Sequence, residues 1–317
     1  MAVDLFNRHF DFPVLLAIRE AFESGTWDGW MRAVTALGDH GAVWIALGVA
    51  LLLFRRTRLT GAAILLALTL VALVGNMGLK PLFDRLRPCD IMGFTLLPAC
   101  PPDPSFPSGH TQNAVAAYGG MFCITKKLWV RVVCMALALL IPFSRLYLGV
   151  HTPLDVGVSF VIGWLLVLAF YPLLEEIGHR GEVLERIWLI LLVPAALFLL
   201  YALRVRAGAS GDAANFDHAV KTAWSMLGLV LGAIVSVFAD RHYTRFETQA
   251  VWWAPLLKVV LGLALTLAVR VALKAPLTAA FGANSVGDGI RYFAVVLMAG
   301  TLWPMTFGWF SLMGRKK

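Results

Sequence analysis

The sequence predicts an all-α integral-membrane protein, a helical bundle of about nine transmembrane helices. Three observations predict it. Of the 317 residues, 59% are hydrophobic and only 15% are charged, with a mean hydropathy of +0.76, whereas a soluble domain carries about 25% charged residues. Apolar runs of the length a bilayer core requires, about 17–25 residues, recur along the chain. Those runs lack the alternating apolar and polar pattern of a membrane strand, which excludes a barrel.

In chain order, residues 1–41 mix apolar and charged positions without a basic start followed by a continuous apolar core, so they do not read as a signal peptide. They suit an amphipathic segment on the outer membrane surface, or equally a helix packed on the bundle. Spans are expected near 39–54, 59–79, 108–125, 128–144, 153–173, 187–203, 219–239, 251–273 and 290–313. Gly and Pro within several of them are tolerated in spanning helices.

Basic residues orient the bundle. Arg55, Arg56 and Arg58 follow span one, Lys126, Lys127 and Arg131 follow span three, and Arg180 and Arg186 precede span six. Arg241 and Arg245 follow span seven, and Arg315, Lys316 and Lys317 end the chain. All these turns fall on one side, which the positive-inside rule makes cytoplasmic. The segment before Trp44, with three Arg against six Asp and Glu, fits the outside. The net charge of +8 then reflects cytoplasmic anchoring. No basic face with interleaved aromatics suggests nucleic-acid binding.

Three polar blocks interrupt the apolar pattern, and this topology puts all three on the outer side: Lys80 to Asp90, Asp103 to Gly120, and Ser144 to Asp155. Lys80, Arg87 and Arg145 are cations with few carboxylates nearby in sequence to pair them. Cations at bilayer depth are costly without a partner or a function, and a phosphate would satisfy all three. Snorkelling to headgroups is the bland reading for any one alone. Ser108 opens a helix, where free N–H groups attract an anion, and Gly109 allows close backbone approach; a serine that only caps is the alternative. His110 in that first turn is hard to explain without an anion, because a helix N-terminus disfavours an imidazolium.

His151 precedes another helix start, and Asp155, four residues on, is placed to reach an imidazole nitrogen and stabilise its charged form. The alternative is a capping box between Thr152 and Asp155. Two histidines without metal-ligand spacing suit phosphoryl transfer: one imidazole attacks phosphorus, the other protonates the leaving oxygen and later activates water. Cys89 and Cys100 bracket the outward loop, where a disulfide is possible in an oxidising compartment. Cys123 and Cys134 lie in spans and read as inert.

Lys80-x6-Arg87-Pro88, Pro107-Ser108-Gly109-His110 and Ser144-Arg145-x5-His151-x3-Asp155 together resemble the three-part signature of the type 2 phosphatidic acid phosphatase superfamily, which includes membrane lipid phosphatases, glucose-6-phosphatase and vanadium haloperoxidases. The resemblance covers about residues 40–173 and implies a phosphatase core over 42–173 and a C-terminal extension of about four spans over 174–317. It implies that His151 is the phosphohistidine nucleophile, Asp155 its orienting partner and His110 the general acid. Lys80, Arg87, Ser108, Gly109 and Arg145 would bind phosphate, with no metal or other cofactor required.

The expected substrate is a lipid phosphate or diphosphate monoester, such as phosphatidic acid, phosphatidylglycerol phosphate or an isoprenyl diphosphate, met at the outer face of a bacterial inner membrane. A soluble sugar-phosphate-like ester, phosphotransfer from a lipid diphosphate, and a transporter or flippase with a vestigial site are the rival readings. Lys258, Arg270 and Lys274 on span eight could meet an anionic headgroup or simply snorkel, and Trp252, Trp253, Trp303 and Trp309 read as interfacial or packing residues.

Overall fold

In a computed structural model of the chain, residues 10–22, 24–39, 69, 79–83, 85–93, 95–96, 99–101, 103–179, 181–208, 213–244, 254–282 and 286–312 are described. They are mostly helical and fall into two compact units, one reaching Pro172 and the other beginning at Leu173. The expected spans at 39–54 and 59–79 lie almost wholly outside the described residues.

The first unit contains every candidate site residue. Helices α1 (Phe12–Phe22) and α2 (Gly25–Asp39) form the N-terminal layer. Short helices α3 (Lys80–Phe83) and α4 (Pro88–Met92) carry the first polar block. The helix expected at 108–125 is broken into α5 (Gly109–Ala114), a π-helical turn at Val115–Gly119, and α6 (Gly120–Ile124). Helix α7 (Leu128–Tyr147) and helix α8 (Pro153–His179) bring in the third block.

Sequence spacing explains how α7 packs. Cys134, Ala138, Ile141, Ser144 and Arg145 recur every three or four residues and are buried, whereas Leu128, Trp129, Val132, Val133 and Leu139 are exposed. One apolar face therefore meets the protein and another is left for lipid tails, while the polar residues gather at the C-terminal end of the buried stripe. The N-terminal layer does more than cover a surface: α2 packs against both α5 and α7. A Cβ added at Gly38 would come within 2.6 Å of Ile141 and 3.8 Å of the His110 ring, so the last turn of α2 needs a glycine to lie this close.

The second unit contains α9 (Gly181–Gly208), α10 (Ala213–Ala239), α11 (Ala254–Ala272), α12 (Lys274–Phe281), α13 (Val286–Leu297), α14 (Trp303–Met305) and α15 (Phe307–Leu312). Helices α10 and α13 approach backbone to backbone. A Cβ at Gly228 would lie 2.0 Å from the Gly289 carbonyl oxygen, and one at Gly232 would lie 2.8 Å from Val296. Small residues four apart allow such contact between helices in lipid, where dispersion and not water drives association.

Five of the described helical segments, Leu128–Tyr147, Glu182–Arg204, Ala219–Tyr243, Leu257–Phe281 and Val286–Trp309, are long and apolar enough to cross a membrane. They overlap the expected spans four and six to nine. The chain is an all-helical integral membrane protein.

Candidate active site

The site is built around the N-terminus of α8. Thr152 Oγ1 accepts from the Asp155 N–H (3.2 Å) and Asp155 Oδ2 accepts from the Thr152 N–H (2.8 Å), a reciprocal capping box. Asp11, just before α1, adds a second cap by accepting from the Leu154 N–H at 3.3 Å. The capping reading of Asp155 is correct, yet this carboxylate also faces the site.

His151 is fully buried, and its ring is defined from both sides. Arg87 Nη1 lies 3.1 Å from His151 Nε2. A guanidinium offers only donors, so Nε2 is the acceptor with its lone pair free of a proton, and the neutral ring carries its hydrogen on Nδ1. Burial first, then the charges of Arg87 and Arg145, push the His151 pKa well below the usual imidazole range, against the opposing pull of Asp155.

Asp155 reaches the imidazole as an ion-pair partner, beyond direct hydrogen-bonding distance: its Oδ2 lies 3.8 Å from His151 Nδ1. Ser105 stands between them, with its Oγ 3.4 Å from Nδ1 and 2.5 Å from Asp155 Oδ2. The other oxygen of Asp155 accepts from Arg85 Nη1 at 2.6 Å, and Arg85 Nη2 donates to Asp11 Oδ2 at 2.7 Å. Arg85, Asp11 and Asp155 are all buried, so this cation is held by two carboxylates and belongs to the scaffold of the site.

The first-block cations Lys80 and Arg87 converge on one partner. Asp103 Oδ1 accepts from Arg87 Nη2 at 2.8 Å, and Asp103 Oδ2 pairs with Lys80 Nζ. The Asp103 carbonyl oxygen also accepts from Arg87 Nε at 2.8 Å. One carboxylate, Asp103, folded back from the second block, thus serves two of the three cations. Burial alone would raise the Asp103 pKa, but Lys80 and Arg87 prevail and hold it well below the usual carboxylate range. Lys80 is lowered, by burial first and then by Arg87 and Arg145, with Asp103 opposing.

Arg145 is buried at the end of α7, and its Nη1 donates to Thr35 Oγ1 on α2 at 2.7 Å. Ser108 caps α5: its Oγ accepts from the Thr111 N–H (3.4 Å) and the Thr111 hydroxyl (3.0 Å). The Ser108 N–H donates to Ser159 Oγ at 2.7 Å, and Ser159 donates to the Asp155 carbonyl at 2.6 Å. That chain ties the mouth of α5 to the first turn of α8. Gly109 and His110 occupy the first turn of α5 and are partly exposed.

Lys80, Arg87, Asp103, Ser105, His151 and Asp155 thus form one connected cluster, and Ser108 joins it through Ser159. Arg145 joins through its charge, which acts on both His151 and Lys80. His110 stands two residues beyond the Ser108 cap. Cys89 and Cys100 are joined in a disulfide, with Cα atoms 5.9 Å apart.

Reading the sequence missed the roles of Ser105, Asp103, Asp11 and Thr35, and left Arg85 unassigned within the first block. A serine two residues before Pro107, in a proline-rich loop, was the available hint.

Residues 60–178 match the model of the PAP2 superfamily, and residues 224–315 match that of the PAP2 superfamily phosphatase transmembrane extension. An undecaprenyl-diphosphatase of Sulfolobus acidocaldarius is 35% identical over 142 residues, which cover 44% of this chain and 66% of that protein. A putative undecaprenyl-diphosphatase of Escherichia coli, YbjG, is 32% identical over 155 residues, covering 48% and 77%. A solved PAP2-type phosphatidylglycerolphosphate phosphatase from Bacillus subtilis is 27% identical, with a TM-score of 0.44, over 52% of this chain and 86% of that one. The two family matches and the E. coli relative, with the three signature blocks present in order, establish that this chain belongs to the PAP2 superfamily.

Proposed function

We propose that this protein hydrolyses a lipid phosphate or diphosphate monoester at a membrane surface, through a phosphohistidine formed on His151. One observation carries the mechanism: a fully buried imidazole whose Nε2 lies 3.1 Å from Arg87 Nη1 and whose Nδ1 is turned toward Ser105 and Asp155. Lys80, Arg87, Arg145, Ser108 and the Gly109 backbone hold the phosphoryl oxygens. Arg87 then turns from Nε2 to the phosphate, and Nε2 attacks phosphorus as the bond to the leaving oxygen breaks. His110 protonates that oxygen. In the second half His110 takes a proton from water, whose oxygen attacks phosphorus and releases His151. The positive charge that develops on the ring is stabilised by Asp155, with Ser105 between them.

The names of two relatives support an isoprenyl diphosphate as substrate over the phospholipid monophosphates. The apolar runs and the placement of basic residues support nine spans, N-terminus out, with the site on the outer side, and likeness to the E. coli relative supports a bacterial inner membrane. The test is a phosphate-release panel on the chain in detergent, over isoprenyl diphosphate, phosphatidic acid, phosphatidylglycerol phosphate and soluble sugar phosphates, without an added acceptor. Release from a lipid substrate at the highest rate is expected. A soluble ester outpacing every lipid, or release only with an acceptor, contradicts the reading.

Ser105→Ala removes the group between the two partners of the charge couple. A hydrogen bond to a charged group contributes about 1.5–3 kcal/mol, so kcat falls roughly 10- to 100-fold. KM stays close to the wild-type value, because Ser105 makes no contact with the phosphate-binding cations among the described residues; steady-state kinetics separates the two.

The acid limb of the kcat/KM profile reports the nucleophile. A base with a lowered pKa stays neutral to lower pH, so activity persists below the ordinary imidazole value of about 6.5 and fails only in more acid solution.

A further inference from the structure

The two carboxylate systems of the site differ in one respect. Arg85 is held by Asp11 and Asp155, and both acidic side chains are fully buried. Lys80 and Arg87 are held by Asp103, whose side chain is 33% exposed while the cations themselves are 10% and 3% exposed. The first arrangement is sealed. The second opens toward solvent at its anionic end.

We propose that Asp103 occupies the phosphate seat of the empty protein and that substrate phosphate binds by displacing it. This rests on the phosphatase reading given above. The two oxygens of Asp103 divide between Arg87 and Lys80, as two oxygens of a phosphoryl group would. Leaving two buried cations without an anion is costly, so an internal carboxylate stabilises the empty state. The loop is fastened independently of that carboxylate. The Asp103 carbonyl is held by Arg87 Nε at 2.8 Å, and the Ser105 N–H donates to the Arg85 carbonyl at 2.7 Å. The carboxylate therefore swings outward by side-chain rotation alone, through the side already open to water. A phosphate dianion outcompetes it because it brings a larger charge and further oxygens for Arg145 and Ser108.

Two consequences follow for turnover. Apparent affinity for phosphate is lowered by the fraction of molecules whose seat is taken. The return of Asp103 after hydrolysis helps expel inorganic phosphate.

The test measures binding of inorganic phosphate and of orthovanadate to the full chain in detergent, which needs no turnover. The variants are Asp103→Asn and Asp103→Ser, two neutral side chains of different size, with Asp103→Glu as the charged control. Both neutral variants bind phosphate at least about tenfold more tightly than the wild type, and Asp103→Glu stays near the wild-type value. Beside this, the structure of the wild-type chain with orthovanadate shows the ion on Lys80 and Arg87 and the Asp103 carboxylate beyond hydrogen-bonding reach of both.

Unchanged or weaker binding in the neutral variants overturns the proposal, as does a vanadate complex in which Asp103 keeps both cations. Those results leave the phosphatase reading intact if lipid phosphate is still hydrolysed. A wild type that binds neither anion and releases no phosphate fails that reading and the displacement with it.

Discussion

Replacing His151 with alanine is expected to abolish phosphate release, with a fall in kcat of at least about 10³-fold and up to the roughly 10⁶-fold seen when a hydrolase loses its nucleophile. The expectation follows from position. His151 is tied into both halves of the cluster, with Nε2 3.1 Å from Arg87 and Nδ1 turned toward Ser105 and Asp155. The cations remain in the variant, so inorganic phosphate still binds. Rate and binding, measured on the same preparation, separate loss of the attacking nitrogen from loss of the phosphate seat. Substantial turnover in His151→Ala contradicts the assignment.

Asp155→Asn carries the second large effect, and it acts on rate and stability together. One oxygen of Asp155 accepts from Arg85 at 2.6 Å; the other accepts from Ser105 at 2.5 Å and from the Thr152 N–H at 2.8 Å. An amide supplies one acceptor atom for all three donors and turns an NH2 group toward the rest. Arg85 keeps Asp11 as its one carboxylate partner among the described residues, so its charge stays compensated, but losing a hydrogen bond to a charged group costs about 1.5–3 kcal/mol. The charge that stabilises the imidazolium is lost as well, and a comparable change in a Ser-His-Asp triad lowers kcat by about 10⁴. The expected result is a fall of about 10²–10⁴ in kcat with a lower melting temperature. A variant with wild-type kcat would show that Asp155 is only a helix cap.

The sequence made the helical class, several spans and the three polar blocks legible, because each rests on local signals: a run of apolar residues, a helix cap, a histidine and an aspartate one turn apart. It did not reveal how those blocks are held, because the partners are remote in the chain. Asp11 and Arg85 are 74 residues apart, and Thr35 and Arg145 are 110 apart; no periodicity links such positions. Asp11 looked like one more acidic residue in a segment whose charge fixed orientation.

The π-helical turn at Val115–Gly119 was hidden for another reason. An apolar run reads as one helix whether or not a turn is widened, since hydropathy does not register a change in backbone pairing. The Ser105 relay was masked by its neighbours: a serine in a loop of prolines suggests a turn, and only the fold places its hydroxyl between an imidazole and a carboxylate.

The mechanism is tested most directly by trapping the intermediate. Wild-type protein is mixed with a substrate labelled with ³²P in the phosphoryl group to be transferred, quenched in alkali, where a phosphoramidate survives, and mapped by mass spectrometry. The account predicts a phosphoryl group on His151 that is absent from His151→Ala and decays as free phosphate appears. Label on any other residue, or rapid turnover with no labelled histidine at any time point, contradicts it.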